Sequence, residues 1–151
     1  MEKLTFNIFI NAPKQHVFET MLNKPTYDEW TSAFQEGSTY KGDWSEGSEM
    51  LFNSSMDDGQ SGMYAIVKAN RPYDFISLQH MGELVNGEKK MGSASGMGYP
   101  ENAEVFENYT FTERDGGTEV LIEMDTSSQF KEMFETMWPK ALEKLKEVAE
   151  R

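Results

Sequence analysis

The stretch Ser127–Arg151 reads SSQFKEMFETMWPKALEKLKEVAER, with apolar residues at Phe130, Met133, Phe134, Met137, Trp138, Ala141, Leu142, Leu145 and Val148. Steps of three and four residues put these side chains on one side of a helix. From Thr39 to Asp125 the chain instead alternates apolar and polar residues in the manner of strands. One amphipathic helix that follows a run of strands buries its stripe across the face of their sheet. The expected class is therefore α+β, with a sheet wrapped around a C-terminal helix and a cavity between them.

Pro139 interrupts the stripe. Within a helix, proline removes a hydrogen bond and clashes with the preceding turn, at a cost of about 3 kcal/mol. The sequence thus predicts a short helical segment from Gln129 to Met137, then a second helix with Pro139 in its first turn, running through Val148. The charged residues from Glu143 to Arg151 form the solvated face of that helix.

Upstream, Leu4, Phe6, Ile8 and Ile10 alternate with Thr5, Asn7 and Phe9 to give a first strand with one apolar face. Pro13 suits the first turn of a helix whose inward stripe is Val17, Phe18, Met21 and Leu22, ending at Asn23 to Pro25. A second short helix is expected from Tyr27 to Phe34, with Trp30 and Phe34 on one side, and Gly37 ends the pattern. Strands follow at Thr39–Asp43, Glu49–Asn53, Gly62–Asn70, Phe75–Glu83, Glu104–Glu113 and Thr118–Asp125. The turn sequences Asp57-Asp58-Gly59, Asn86-Gly87 and Asp115-Gly116-Gly117 make consecutive strands antiparallel neighbours. Between Val85 and Ala103, glycine, serine and methionine predict a rim loop, of which Met91 to Tyr99 has the glycines for a hinged lid or for an ordinary connection.

The 151 residues suit one domain spanning the whole chain. A formal net charge of −12 disfavours nucleic acid and anionic membrane surfaces, which are held by clustered lysine and arginine. The chain has no cysteine, which excludes disulfides, thiolate chemistry and cysteine metal sites and fits a reducing cytoplasm. The N-terminus lacks the charged start and apolar block of a secretory signal, and no apolar run reaches the roughly 18 residues of a membrane span. Eleven methionines and ten phenylalanines supply a core that re-packs readily.

The order β, α, α, six β, α, together with Trp30, Phe34, Tyr40-Lys41-Gly42-Asp43-Trp44, Gly47-Ser48 and Phe52, resembles the START-like (SRPBCC) helix-grip superfamily. Pro72-Tyr73, Ile76 to Gly82, Glu107-Asn108-Tyr109, Gly117-Thr118 and Phe134 to Leu145 extend the likeness across nearly the whole chain. Within the superfamily it looks like the small proteins related to the activator of Hsp90 ATPase. The resemblance implies a curved antiparallel sheet around the C-terminal helix, enclosing a pocket that in many relatives accepts lipids, sterols, hormones or polyketides. Eukaryotic Hsp90 activators carry this module behind a separate N-terminal domain, whereas this sequence holds the module alone, which counts against chaperone activation.

Period-two alternation sends Ile76, Leu78 and His80 of one strand, and Val105, Glu107, Tyr109 and Phe111 of another, to the concave face. His80 and Glu107 then meet inside, where the carboxylate orients the imidazole for ligand binding or proton transfer. The same pattern also fits a hydrogen-bonded core pair, or a Glu107 turned outward by a bulge. Trp30, Phe34, Trp44, Phe52, Met63, Met133, Phe134, Met137 and Trp138 are candidates to line an apolar pocket, or to fill the core as such stripes usually do. His16 reads as solvated.

No histidine spacing marks a metal site, no serine nucleophile motif is present, and Gly92, Gly96 and Gly98 do not open a helix after a strand as a dinucleotide fingerprint requires. Asp57-Asp58 fits a solvated turn better than calcium, so no cofactor is expected. Three functions follow: binding of a small apolar or amphipathic molecule; an enzyme of the cyclase, dehydratase or isomerase kind, with His80 as acid or base, Glu107 orienting it and Tyr109 donating; or contact with an Hsp90-type chaperone through the acidic exterior.

Overall fold

A computed structural model describes residues 1–55 and 61–151. The Asp57-Asp58-Gly59 turn lies outside the described residues. In chain order the elements are β1 (Glu2–Ile10), α1 (Lys14–Leu22), α2 (Lys24–Thr31), β2 (Ser38–Lys41), β3 (Glu49–Ser54), β4 (Gly62–Arg71), β5 (Phe75–Val85), β6 (Glu88–Met91), a 3-10 turn (Gly92–Ala94), β7 (Val105–Arg114), β8 (Gly117–Thr126) and α3 (Ser128–Glu150). The strands form one antiparallel sheet in the order β1-β8-β7-β5-β4-β3-β2, and β6 pairs with the far end of β5. This curled sheet around a long C-terminal helix is the helix-grip fold.

Register carries the apolar alternation from strand to strand. Leu4 faces Met124, Phe6 faces Ile122 and Ile8 faces Val120, while Tyr109 lies between Ile122 and Ile76. The concave face so formed packs on α1, α2 and the second half of α3, where Ala141, Leu142, Leu145, Val148 and Ala149 are buried. Thr118, fully buried, donates its hydroxyl to the Ala12 carbonyl at 2.8 Å and ties β8 to the start of α1.

Three expectations need correction. Pro139 does not break the last helix, which runs unbroken for 23 residues. Pro139 and Glu135, the residue whose carbonyl loses its partner, both lie on the exposed face, where the freed oxygen need not be buried unpaired. The second helix starts three residues early, at Lys24, because Pro25 opens α2 rather than merely closing α1; extended Asn23 (φ −66°, ψ 137°) separates the two. The Val85–Ala103 segment contains a strand: Asn86 (φ 50°) and Gly87 (φ 82°) make a two-residue turn that folds β6 back onto β5.

Candidate functional site

The two halves of α3 differ. Beyond Trp138 its inner face is buried, whereas Phe130, Phe134 and Met137 are only partly covered and Met133 is 43% exposed. Under this first half the packing stops short of the sheet and leaves a cavity of about 570 Å³. Phe130, Met133, Phe134, Met137 and Trp138 roof it; Phe52, Met63, His80, Glu83, Glu107 and Tyr109 form the sheet side; Tyr27, Trp30 and Phe34 close one end. That size and lining are those of a small-molecule pocket.

Ring packing holds the closed end. Trp138 lies 4.9 Å from Phe34, edge to face, and 6.0 Å from Phe6, stacked. Trp30 donates its indole N–H to the Met21 carbonyl at 3.1 Å, and Tyr40 donates to the Leu22 carbonyl at 2.6 Å, so α1 fixes both rings. Two candidates stand outside the lining. Trp44 is locked behind the wall among Tyr27, Tyr40 and Phe52. Leu78 shares the face of His80 but is fully buried in the filled part of the core. Its alternation was read correctly; what alternation lacks is any signal of where along the strand the core is hollow.

His80, Glu107 and Tyr109 form a polar chain in this otherwise apolar wall. Glu107 faces Leu78 across the ladder, which sets His80 on the diagonal with its Nε2 3.3 Å from Glu107 Oε1. Tyr109 donates its hydroxyl to Glu107 Oε2. The side chains of His80 and Glu107 are 5% and 12% exposed. Nε2 of His80 faces a carboxylate oxygen, which accepts its hydrogen, and Nδ1 is buried without a hydrogen-bond partner among the described residues. Burial, reinforced by the Glu107 charge, holds the Tyr27 hydroxyl far above the usual phenol range. Burial likewise raises Tyr99, with Glu107 and Glu83 adding to it.

Sequence reasoning missed Glu83, Tyr27 and Met97. Glu83 has the wrong parity for the His80 face, but Met81 bulges out of register and restores it. Tyr27 lies one turn before Trp30 and Thr31, a spacing that becomes visible once α2 starts at Lys24. Met97 comes from the segment after the 3-10 turn, tethered by the Gly96 N–H to Glu83 Oε1 at 2.6 Å and by the Ser127 hydroxyl to the Met97 carbonyl at 2.8 Å. His16 is exposed yet engaged, with its Nε2 2.9 Å from the Ala149 carbonyl at the end of α3. Among the described residues no group of three or more acidic or histidine side chains is placed to hold a metal ion, and no helix is long and apolar enough to cross a membrane.

Comparison with known proteins agrees with this fold. Residues 11–150 match the profile of the family described as activator of Hsp90 ATPase homolog 1-like protein. No curated protein gives a significant match. Protein MLL2253 from Mesorhizobium loti is 13% identical and superposes over 97% of this chain and 96% of its own, with a TM-score of 0.71. The Aha1 protein of Colwellia psychrerythraea, solved as a dimer in solution, is 16% identical over 99% of this chain and 97% of its own, with a TM-score of 0.69. DynU16, from the dynemicin biosynthetic locus, is 13% identical over 97% of this chain but 46% of its own, with a TM-score of 0.70. At such identities the likeness establishes the fold.

Proposed function

The chain belongs to the activator of Hsp90 ATPase homologue 1-like family, and we propose that it is a binding protein whose one helix-grip domain, residues 1–151, takes a small, largely apolar molecule between the sheet and the C-terminal helix. The observation that carries this reading is the cavity of about 570 Å³ with its aromatic and methionine lining. Burying an apolar ligand there yields roughly 25 cal/mol for each Å² of apolar surface removed from water, and the thioether side chains of Met63, Met133 and Met137 re-pack around ligands of differing shape. DynU16 is a product of a biosynthetic locus, which is in keeping with a small-molecule ligand for this fold.

Native mass spectrometry of freshly purified protein, followed by denaturing extraction, tests the reading without a guess at the ligand. A stoichiometric mass that leaves on denaturation is the expected result; a clean mass together with no saturable binding across a panel of hydrophobic compounds would sink it.

One observation favours a second reading. The Tyr109–Glu107–His80 chain sets an imidazole against a carboxylate in the cavity wall, which is the arrangement of a general base in an isomerase, cyclase or dehydratase. Glu107 would orient the ring and Tyr109 would hold the carboxylate. Unchanged turnover of an identified substrate by His80→Ala removes this reading. A chaperone-contacting role rests on family membership alone, and stimulation of an Hsp90-type ATPase is its test.

A further inference from the structure

The charges of the cavity wall are one-sided. Glu83 and Glu107 line it, and among the described residues no lysine or arginine does. The lysines on β6, the strand paired to the Glu83 end of β5, are engaged with other acids: Lys89 lies 3.7 Å from Glu49 and Lys90 lies 3.3 Å from Glu88. Even a protonated His80 leaves one carboxylate in excess. The raised Tyr27 and Tyr99 hydroxyls are consistent with this, since after burial each owes its shift to Glu107, and Tyr99 also to Glu83.

The lining is also rich in aromatic rings. Tyr27, Trp30, Phe34, Phe52, Tyr109 and Trp138 border the hollow, and an aromatic ring attracts a cation through the negative face of its quadrupole. An anionic head group brought into this space meets carboxylates and, among the described residues, no lysine or arginine, while losing its own hydration. A protonated amine meets two carboxylates in a lining rich in aromatic rings, and its apolar body takes the remaining wall.

We infer that the cavity selects cationic apolar molecules over anionic ones, with an aromatic or alkyl-aromatic amine as the class it fits. The inference rests on the binding reading above and adds the chemistry of the ligand's head group. It makes a fatty acid or another free carboxylate a poor ligand despite the apolar lining.

Three compounds of nearly one shape separate the possibilities: naphthylmethylamine, naphthylmethanol and naphthoate, titrated at neutral pH and constant salt by calorimetry and tryptophan fluorescence. The expected order is amine, then alcohol, then carboxylate, with at least about tenfold between the extremes. Glu83→Gln and Glu107→Gln should each narrow that ratio. Glu143→Gln, which removes a charge from the exposed outer face of α3, should leave it unchanged and so separates the cavity's field from the protein's overall charge. Equal binding of all three compounds overturns charge selection and leaves the binding reading standing. A ratio that survives both cavity substitutions, or falls equally with Glu143→Gln, overturns it too. If none of the three binds, the binding reading falls and this one with it. Glu83 keeps the test open should Glu107→Gln fail to fold.

Discussion

His80 and Glu83 face one cavity although they stand three positions apart on a single strand, an odd interval that would place them on opposite faces of a regular ladder. Ala65 pairs with His80 and Tyr64 with Gly82, so Met81 is left without a partner and the strand resumes with its parity reversed. Glu83 uses that position to accept the Gly96 N–H at 2.6 Å. Glu83→Ala is therefore expected to speed hydrogen exchange at the Gly96 amide while changing global stability by less than about 1 kcal/mol, since the site is partly solvated. Unchanged exchange would show that the Ser127 contact alone holds the segment.

Glu107 accepts from Tyr109 with one oxygen and lies against His80 with the other. Glu107→Ala strands both partners in a largely buried wall, and urea titration should show a loss of about 2 kcal/mol. Glu107→Gln, which keeps one acceptor oxygen, should recover part of it. If the alanine variant is as stable as the parent, water in the cavity satisfies both groups.

Pro139 sits on the exposed face of an unbroken helix. Pro139→Ala restores the amide hydrogen bond to Glu135 and removes the ring clash, so about 2 kcal/mol of stabilisation is expected. For a chain of this size that raises the melting temperature by roughly 4–8 °C. A fall in melting temperature would mean that the local helix geometry at Pro139 is needed by the packing of Trp138.

A Cβ added at Gly82 would stand 2.1 Å from the Lys90 carbonyl oxygen, which belongs to backbone and cannot rotate away. Gly82→Ala should push β6 off β5, seen as lost amide protection over Glu88–Met91 and a loss of stability on the order of 2 kcal/mol. Retained protection there would show that β5 yields instead.

Alkaline stability follows from the tyrosines. Burial, then the hydrogen bond to Glu49 and its charge, pushes Tyr64 up to about 12, and burial raises Tyr27 and Tyr99 as well. The folded state thus keeps phenol protons that the unfolded chain releases near pH 10. Stability from these groups is whole below about pH 10 and falls as the pH rises through the folded values. Urea midpoints should drop between about pH 10 and 12, and less steeply in Tyr64→Phe. A midpoint independent of pH in that range would contradict the assignment.

Much of this was legible in the residues. Alternation in β1, β5, β7 and β8 named the concave face, and the spacing from Phe130 to Val148 named the helix that crosses it, because side-chain direction in a strand or helix is a local property of the backbone. That His80 and Glu107 could meet was legible from two such alternations; the register of β5 on β7 decided that they do.

Tertiary structure alone decided the remainder. Whether Pro139 breaks a helix depends on which way the freed carbonyl points, and whether Asn86-Gly87 starts a strand depends on an available edge of β5. The bulge at Met81 arises from strand pairing, so Glu83 entered the cavity unannounced. The hollow itself is a matter of volume: the same stripe on α3 is packed against the core at Leu145 and stands clear of the sheet at Met133, and no periodicity distinguishes an apolar side chain that fills space from one that borders it.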